Sequence, residues 1–271
     1  MIKRFLVATA SAAALLVGSA AYAGPFILAG TDADDHGFAS GGNQQGWLFM
    51  QKALENLGAG VTNGNKVVTI LGSTSTASTA ANSAFNLSSL VGAGWTVNTV
   101  LVSNFGTFFT GAGLAASGIL MMDSGGNVGG GVGGSSYTAY ATNINNFVGA
   151  GGGLFSQANG YQWLSALVPT LTVVNESGTG LGLTAAGNTA FPALTNADLS
   201  AGPWHSSFST TGAIPVLAVS DNGSTLNHAV IIGGATGSIT NPGGTVPEPG
   251  SLALLAVALG AAGMLRKKKA A

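Results

Sequence analysis

Two short runs constrain this chain most: Lys66–Leu71 (KVVTIL) and Gly118–Met122 (GILMM). Neither alternates apolar with polar residues, so a strand built from either must meet apolar neighbours on both faces. A central strand of a parallel sheet covered by helices on each side meets that demand. Helical spacing is present to supply the covers. Trp47, Met50, Leu54 and Leu57 recur along Gly46–Leu57, and Gly58 stops the pattern. A weaker, Ala-rich helix spans Ala77–Val91, with Phe85, Leu87 and Leu90. Tyr140, Ile144, Phe147 and Val148 share one face of Tyr137–Val148, and Tyr161–Val168 is stopped by Pro169. Further strands are expected at Phe26–Gly30, Thr96–Val102, Gly153–Ser156, Thr170–Val174, Pro215–Ser220 and His228–Ile232. The last two are joined through Asp221-Asn222-Gly223. Residues 178–213 have loop composition, and GGNVGGGVGG at 125–134 reads as a mobile loop. The expectation is one α/β domain over residues 24–234: three layers around a mostly parallel sheet. A Gly/Ser/Thr-rich all-β solenoid or sandwich competes with it. The helical periodicity and the absence of a 20–50-residue repeat weigh against that rival.

Charge narrows the function classes. Only 6% of residues are charged, against about 25% in an average domain. Lys3, Arg4 and Arg266–Lys269 lie at the ends. Residues 24–245 hold two lysines and eight carboxylates, a net charge of −6, with no arginine. Phosphate contacts need several basic side chains, so nucleic acid is excluded as a partner. The chain has no cysteine, which removes disulfides, thiolate metal sites and a cysteine nucleophile. Its 44 glycines show no three-residue period, which excludes collagen.

The two ends read as addresses. Residues 1–23 place Lys3 and Arg4 before an apolar stretch and end in Ala21-Tyr22-Ala23, a signal peptide cleaved after Ala23. Residues 235–245 form a Gly/Thr/Pro linker. Residues 246–271 then give Val246-Pro247-Glu248-Pro249, an apolar helix over 251–265, and the basic tail Arg266, Lys267, Lys268 and Lys269. The apolar stretch is 15 residues, shorter than the ~20 of a standard span, and its basic flank stays cytoplasmic. Prolines on both sides leave Glu248 in extended chain, open to a processing enzyme. This arrangement resembles the PEP-CTERM sorting signal of Gram-negative bacteria. The resemblance implies recognition by an exosortase, a membrane-embedded cysteine protease-transpeptidase. It implies export through the inner membrane, transient anchoring by the C-terminal helix, and release to the cell surface or extracellular matrix. It also implies a link to exopolysaccharide and biofilm.

In the body, residues 143–155 (NINNFVGAGGGLF) are similar to the helix, triple-glycine and strand segment of class I glutamine-amidotransferase-like domains. The resemblance places Ser156 where that family has its cysteine. A degenerate hydrolase would combine Ser156 with His205 (or His228) and Asp123. The densest polar cluster is Asp32, Asp34, Asp35 and His36, at the carboxyl end of the first strand, where open α/β sheets bind ligands. Crowded carboxylates invite a cation, with calcium as the candidate ion or a transition metal through His36. Gly37 stands sixth from Asp32, but Asn43 stands twelfth where a calcium loop needs Glu. A solvated acidic loop is the plain alternative. Beyond calcium no cofactor is expected. Of Trp47, Trp95, Trp163 and Trp204, the last reads as the exposed candidate for stacking on a sugar. The leading expectation is an exported surface or matrix protein with a non-catalytic binding or structural role; the alternative is the Ser156 hydrolase.

Overall fold

The computed structural model describes residues 24–125, 129–221 and 227–235. The signal peptide, nearly all of the linker, the sorting signal and its 251–265 helix fall outside them. Among the described residues no helix is long and apolar enough to cross a membrane.

Ten strands form one sheet. Its parallel half is β1 (Phe26–Ala29), β4 (Val67–Leu71), β5 (Thr96–Val100), β6 (Ile119–Met122) and β7 (Gly153–Ser156), ordered β5-β4-β6-β7-β1. In register, Val68 meets Ile119, and Leu120 meets Leu154, which meets Phe26. A small hairpin, β2 (Gly37–Ala39) with β3 (Asn43–Gln45), stands apart. Helix α1 (Gly46–Gly60) and helix α2 (Ser75–Asn86) cover one face, with the short α3 (Ser89–Gly92). Helices α4 (Phe105–Thr110), α5 (Ala112–Ala116) and α6 (Ala141–Gly149) belong to the other.

Consecutive strand residues feed two separate cores. Ile27, Ile70, Ile119, Met121 and Phe155 pack with Met50, Leu54 and Phe85. Phe26, Leu28, Leu71, Leu120 and Leu154 pack with Phe105, Tyr137, Ile144 and Trp163. KVVTIL and GILMM show no apolar/polar alternation for this reason, and the three-layer expectation holds in this half.

The other half is antiparallel, so the sheet is mixed, not mostly parallel. Beyond β1 come β12 (Ala229–Gly234), β10 (Pro203–Ser209) and the edge strand β8 (Thr172–Thr179). β11 (Val216–Ser220) pairs with β12 and with β9 (Leu181–Leu183). Residues 178–213, read from composition as loop, hold β9, β10 and two short helices, α7 (Ala185–Ala190) and α8 (Asn196–Leu199). Side-chain caps explain the helices: Thr184 accepts from the Gly187 amide, and Thr195 with Asp198 forms a capping box. β10 escaped detection because its buried positions include Ser206 and Ser207. The Tyr161–Val168 helix reduces to a 3-10 turn at Leu164–Ala166, and Tyr137 falls in a 3-10 segment, Gly134–Tyr140, ahead of α6.

The described part of the glycine loop, residues 129–134, is held by hydrogen bonds. The Thr74 amide donates to Gly130 at 3.0 Å and the Ala77 amide to Gly129 at 2.7 Å. Val132 is buried above Gly72, whose φ of +77° and missing side chain leave room for it. Trp204 is 2% exposed, so it is a core residue and offers no stacking surface.

Candidate functional site at the carboxyl edge of the parallel strands

In the parallel half, the chain leaves each strand at the same edge, and the first polar residues beyond each strand gather there. β4 is followed by Ser73, β6 by Asp123 and Ser124, β1 by Thr31 to Asp35, and β7 ends in Ser156 with Gln157 next. β4 continues into α2 on one face, whereas the chain beyond β6 reaches α6 on the other. Ligands of open α/β sheets occupy such a divergence.

Here the divergence is filled by carboxylates. Ser73 Oγ donates to Asp123 Oδ2, and Ser124 Oγ donates to Asp34 Oδ1 at 2.7 Å. Asp34 and Asp123 are both fully buried. Burial first, and then the charge of Asp34, push the Asp123 carboxyl well above its ordinary range; the Ser73 hydroxyl opposes this. Burial and the Asp123 charge likewise raise the Tyr137 phenol. Asp123 Oδ1, Asp32 Oδ1, Thr31 Oγ1 and Gln157 Nε2 are buried without a hydrogen-bond partner among the described residues.

The four residues of the acidic loop face different places. Asp32 Oδ2 lies 3.3 Å from His36 Nε2 and 3.0 Å from His205 Nε2, which joins the loop to β10. Asp34 turns inward to Ser124, and its backbone carbonyl accepts from Trp47 Nε1 at 2.9 Å. Asp35 lies against Gly129, its carboxyl raised by burial and then by the charge of Asp32, with His36 opposing. Among the described residues, no three His, Asp or Glu side chains are placed to hold a metal ion.

Ser156 is fully buried. Its Oγ accepts from Asn159 Nδ2 at 2.8 Å and donates to the Gln157 carbonyl at 3.3 Å. Asn159 Oδ1 accepts from Trp163 Nε1, and Gln157 Oε1 accepts from the Ala33 amide. His205 is engaged with Asp32 and, at 3.4 Å, with Ser177; His228 bonds Glu176. Ser156, His205 and Asp123 therefore have separate partners and form no nucleophile–base–acid chain among the described residues. A serine nucleophile needs its base within hydrogen-bond reach.

Sequence reasoning missed Ser73, Ser124, Gln157 and Asn159. A usable signal existed: each stands within three residues of the end of a buried strand.

Residues 245–269 match the family of the PEP-CTERM protein-sorting motif. No match was found among curated proteins, and none among solved structures. The motif marks an exported protein recognised by an exosortase, with a cell-surface or extracellular destination. No comparison links the body to glutamine amidotransferases.

Proposed function

We propose that this chain is an exosortase-sorted surface or matrix protein whose α/β body acts by binding or as a structural element associated with exopolysaccharide and biofilm. The sorting motif on residues 245–269 is the observation that carries the reading. In the same reading the signal peptide leaves after Ala23, and the 251–265 helix anchors the chain in the inner membrane until processing. The geometry of the body favours binding over catalysis. Ser156 is sealed from solvent and hydrogen-bonded to an amide instead of an imidazole. The buried Asp34 and Asp123 are equally beyond the reach of a solute.

The test is a deletion strain complemented with the wild-type chain or with Glu248→Ala. The wild type is expected at the surface with normal matrix polysaccharide retention, and the variant unprocessed with that retention lost. Unchanged matrix and biofilm in the deletion strain would refute the matrix role. Fluorophosphonate labelling that disappears in Ser156→Ala would replace binding by hydrolysis.

A further inference from the structure

The antiparallel half carries an open groove of about 490 Å³, within the range of small-ligand sites. Its walls come from β8, β10, β11 and the entry to β12. Glu176 stands in it as the shared acceptor of two neighbours: Ser207 Oγ and His228 Nδ1 both bond Oε1. Among the described residues Oε2 is left without a bond, and so is His228 Nε2. The side chains of Glu176 and His228 are 26% and 31% exposed, so both reach solvent from fixed positions.

The lining selects a ligand chemistry. Lys52 is paired with Glu55, Lys66 bonds the Ala93 carbonyl, and neither lines the groove. With Glu176 as the charged member, a phosphate or carboxylate ligand is repelled. Hydroxyls and an amide (Ser209, Thr211, Asn227) alternate with the apolar Val174 and Val216. That mixture suits a neutral molecule bearing many hydroxyls on a ring with apolar C–H faces.

We propose that this groove is a saccharide site, in which Glu176 and His228 hold adjacent hydroxyls of a neutral sugar unit. It rests on the polysaccharide association proposed above and assigns it a place. With Nδ1 bonded to Glu176, Nε2 is the ring nitrogen left to bond a ligand hydroxyl. One sugar hydroxyl donates to Glu176 Oε2 and its neighbour bonds His228 Nε2. Ser207 and His228 fix the carboxylate in advance, which lowers the ordering cost of binding. Val174, at 37% exposure, offers the apolar surface against which a ring face packs.

Calorimetric titration of the full chain with neutral gluco-, galacto- and manno-oligosaccharides, and with an oligogalacturonate as anionic control, tests the assignment. At least one neutral series is expected to bind saturably and the polyanion not at all. Glu176→Gln and His228→Gln are expected to weaken binding by about tenfold or more, the worth of one charge-assisted hydrogen bond. Val174→Arg, which puts a long side chain into the groove, is expected to abolish binding with an unchanged melting temperature. Neutral sugar binding that survives all three substitutions would overturn the groove assignment and leave the saccharide reading standing. No binding by the wild-type chain, or binding of the polyanion alone, would overturn the neutral-saccharide assignment of the groove, while the matrix role stands or falls by the deletion strain.

Discussion

Asp123→Asn isolates the most costly feature of the body, a fully buried carboxyl beside a second one. Burial and the charge of Asp34 raise its titration well above the ordinary value of 3.8. The folded chain therefore keeps a proton that the unfolded chain releases. The stability tied to that proton is fully present below pH 3.8 and is lost as pH rises toward the folded value. One proton of difference makes unfolding easier by about 1.4 kcal/mol per pH unit within that window. For a domain of this size that is about 3–5 °C of melting temperature per unit. Asparagine has the same shape: its carbonyl accepts from Ser73, its amide faces Asp34 without repulsion, and it does not titrate. Melting curves of both proteins from about pH 4 to about pH 8 should therefore diverge, the variant gaining as pH rises. Parallel curves would refute the reasoning, because they would mean that Asp123 ionises as readily folded as unfolded. Asp35, raised more modestly by burial and by Asp32, adds a slope of the same sign to both proteins and cancels in the comparison.

Other substitutions probe separate claims. Gly233→Ala puts a side chain at φ +112° into the Phe26 carbonyl across the β1–β12 pair; urea unfolding should show a loss of more than about 2 kcal/mol. Thr195→Ala removes the capping box of α8 and should cost about 1 kcal/mol by the same measurement. Ser156→Ala leaves the Asn159 amide without that acceptor; it should lower stability by about 1–3 kcal/mol and leave fluorophosphonate labelling unchanged at background. Glu248→Ala should leave the C-terminal segment attached, seen as an unprocessed mass in an exosortase-positive host.

The parallel half was legible because its strands are apolar on both faces. Lys66–Leu71 and Gly118–Met122 announced central strands, and Trp47 to Leu57 announced the helix that covers them. The antiparallel half was legible in part: Pro215–Ser220 and His228–Ile232 became β11 and β12, and Thr170–Val174 gave the start of β8, whereas β9 and β10 were hidden by chemistry. In β10 the buried positions include Ser206 and Ser207, and β8 continues past Val174 along the sheet edge as Asn175, Glu176 and Ser177, so period and hydropathy both fail there. Its short helices depend on caps supplied by Thr184 and Thr195, a local signal swamped by the Gly/Ser/Thr background. The acidic loop was visible as a cluster, but not its division: Asp32 to two histidines, Asp34 to Ser124, Asp35 to Gly129. Sequence proximity had suggested one shared ligand, whereas alternate side chains of an irregular loop point to different neighbours.

The carboxylates of the two halves have different settings. Of the eight carboxylates between residues 24 and 245, Asp32, Asp34 and Asp123 are buried at the parallel edge. A buried carboxylate is tolerated only with partners or a retained proton. Ser73, Ser124, His36 and His205 supply the partners, and Gly129–Gly134 closes over the edge through hydrogen bonds to Thr74, Ala77 and Asn159. The usual ligand edge of an α/β sheet is thus occupied by the protein's own side chains. Glu176 has the opposite setting: its partners hold it in place while part of it faces solvent. A fixed, accessible carboxylate in a groove without a lysine or arginine favours neutral hydrogen-bond donors, and that contrast is why the proposed saccharide site falls in the antiparallel half.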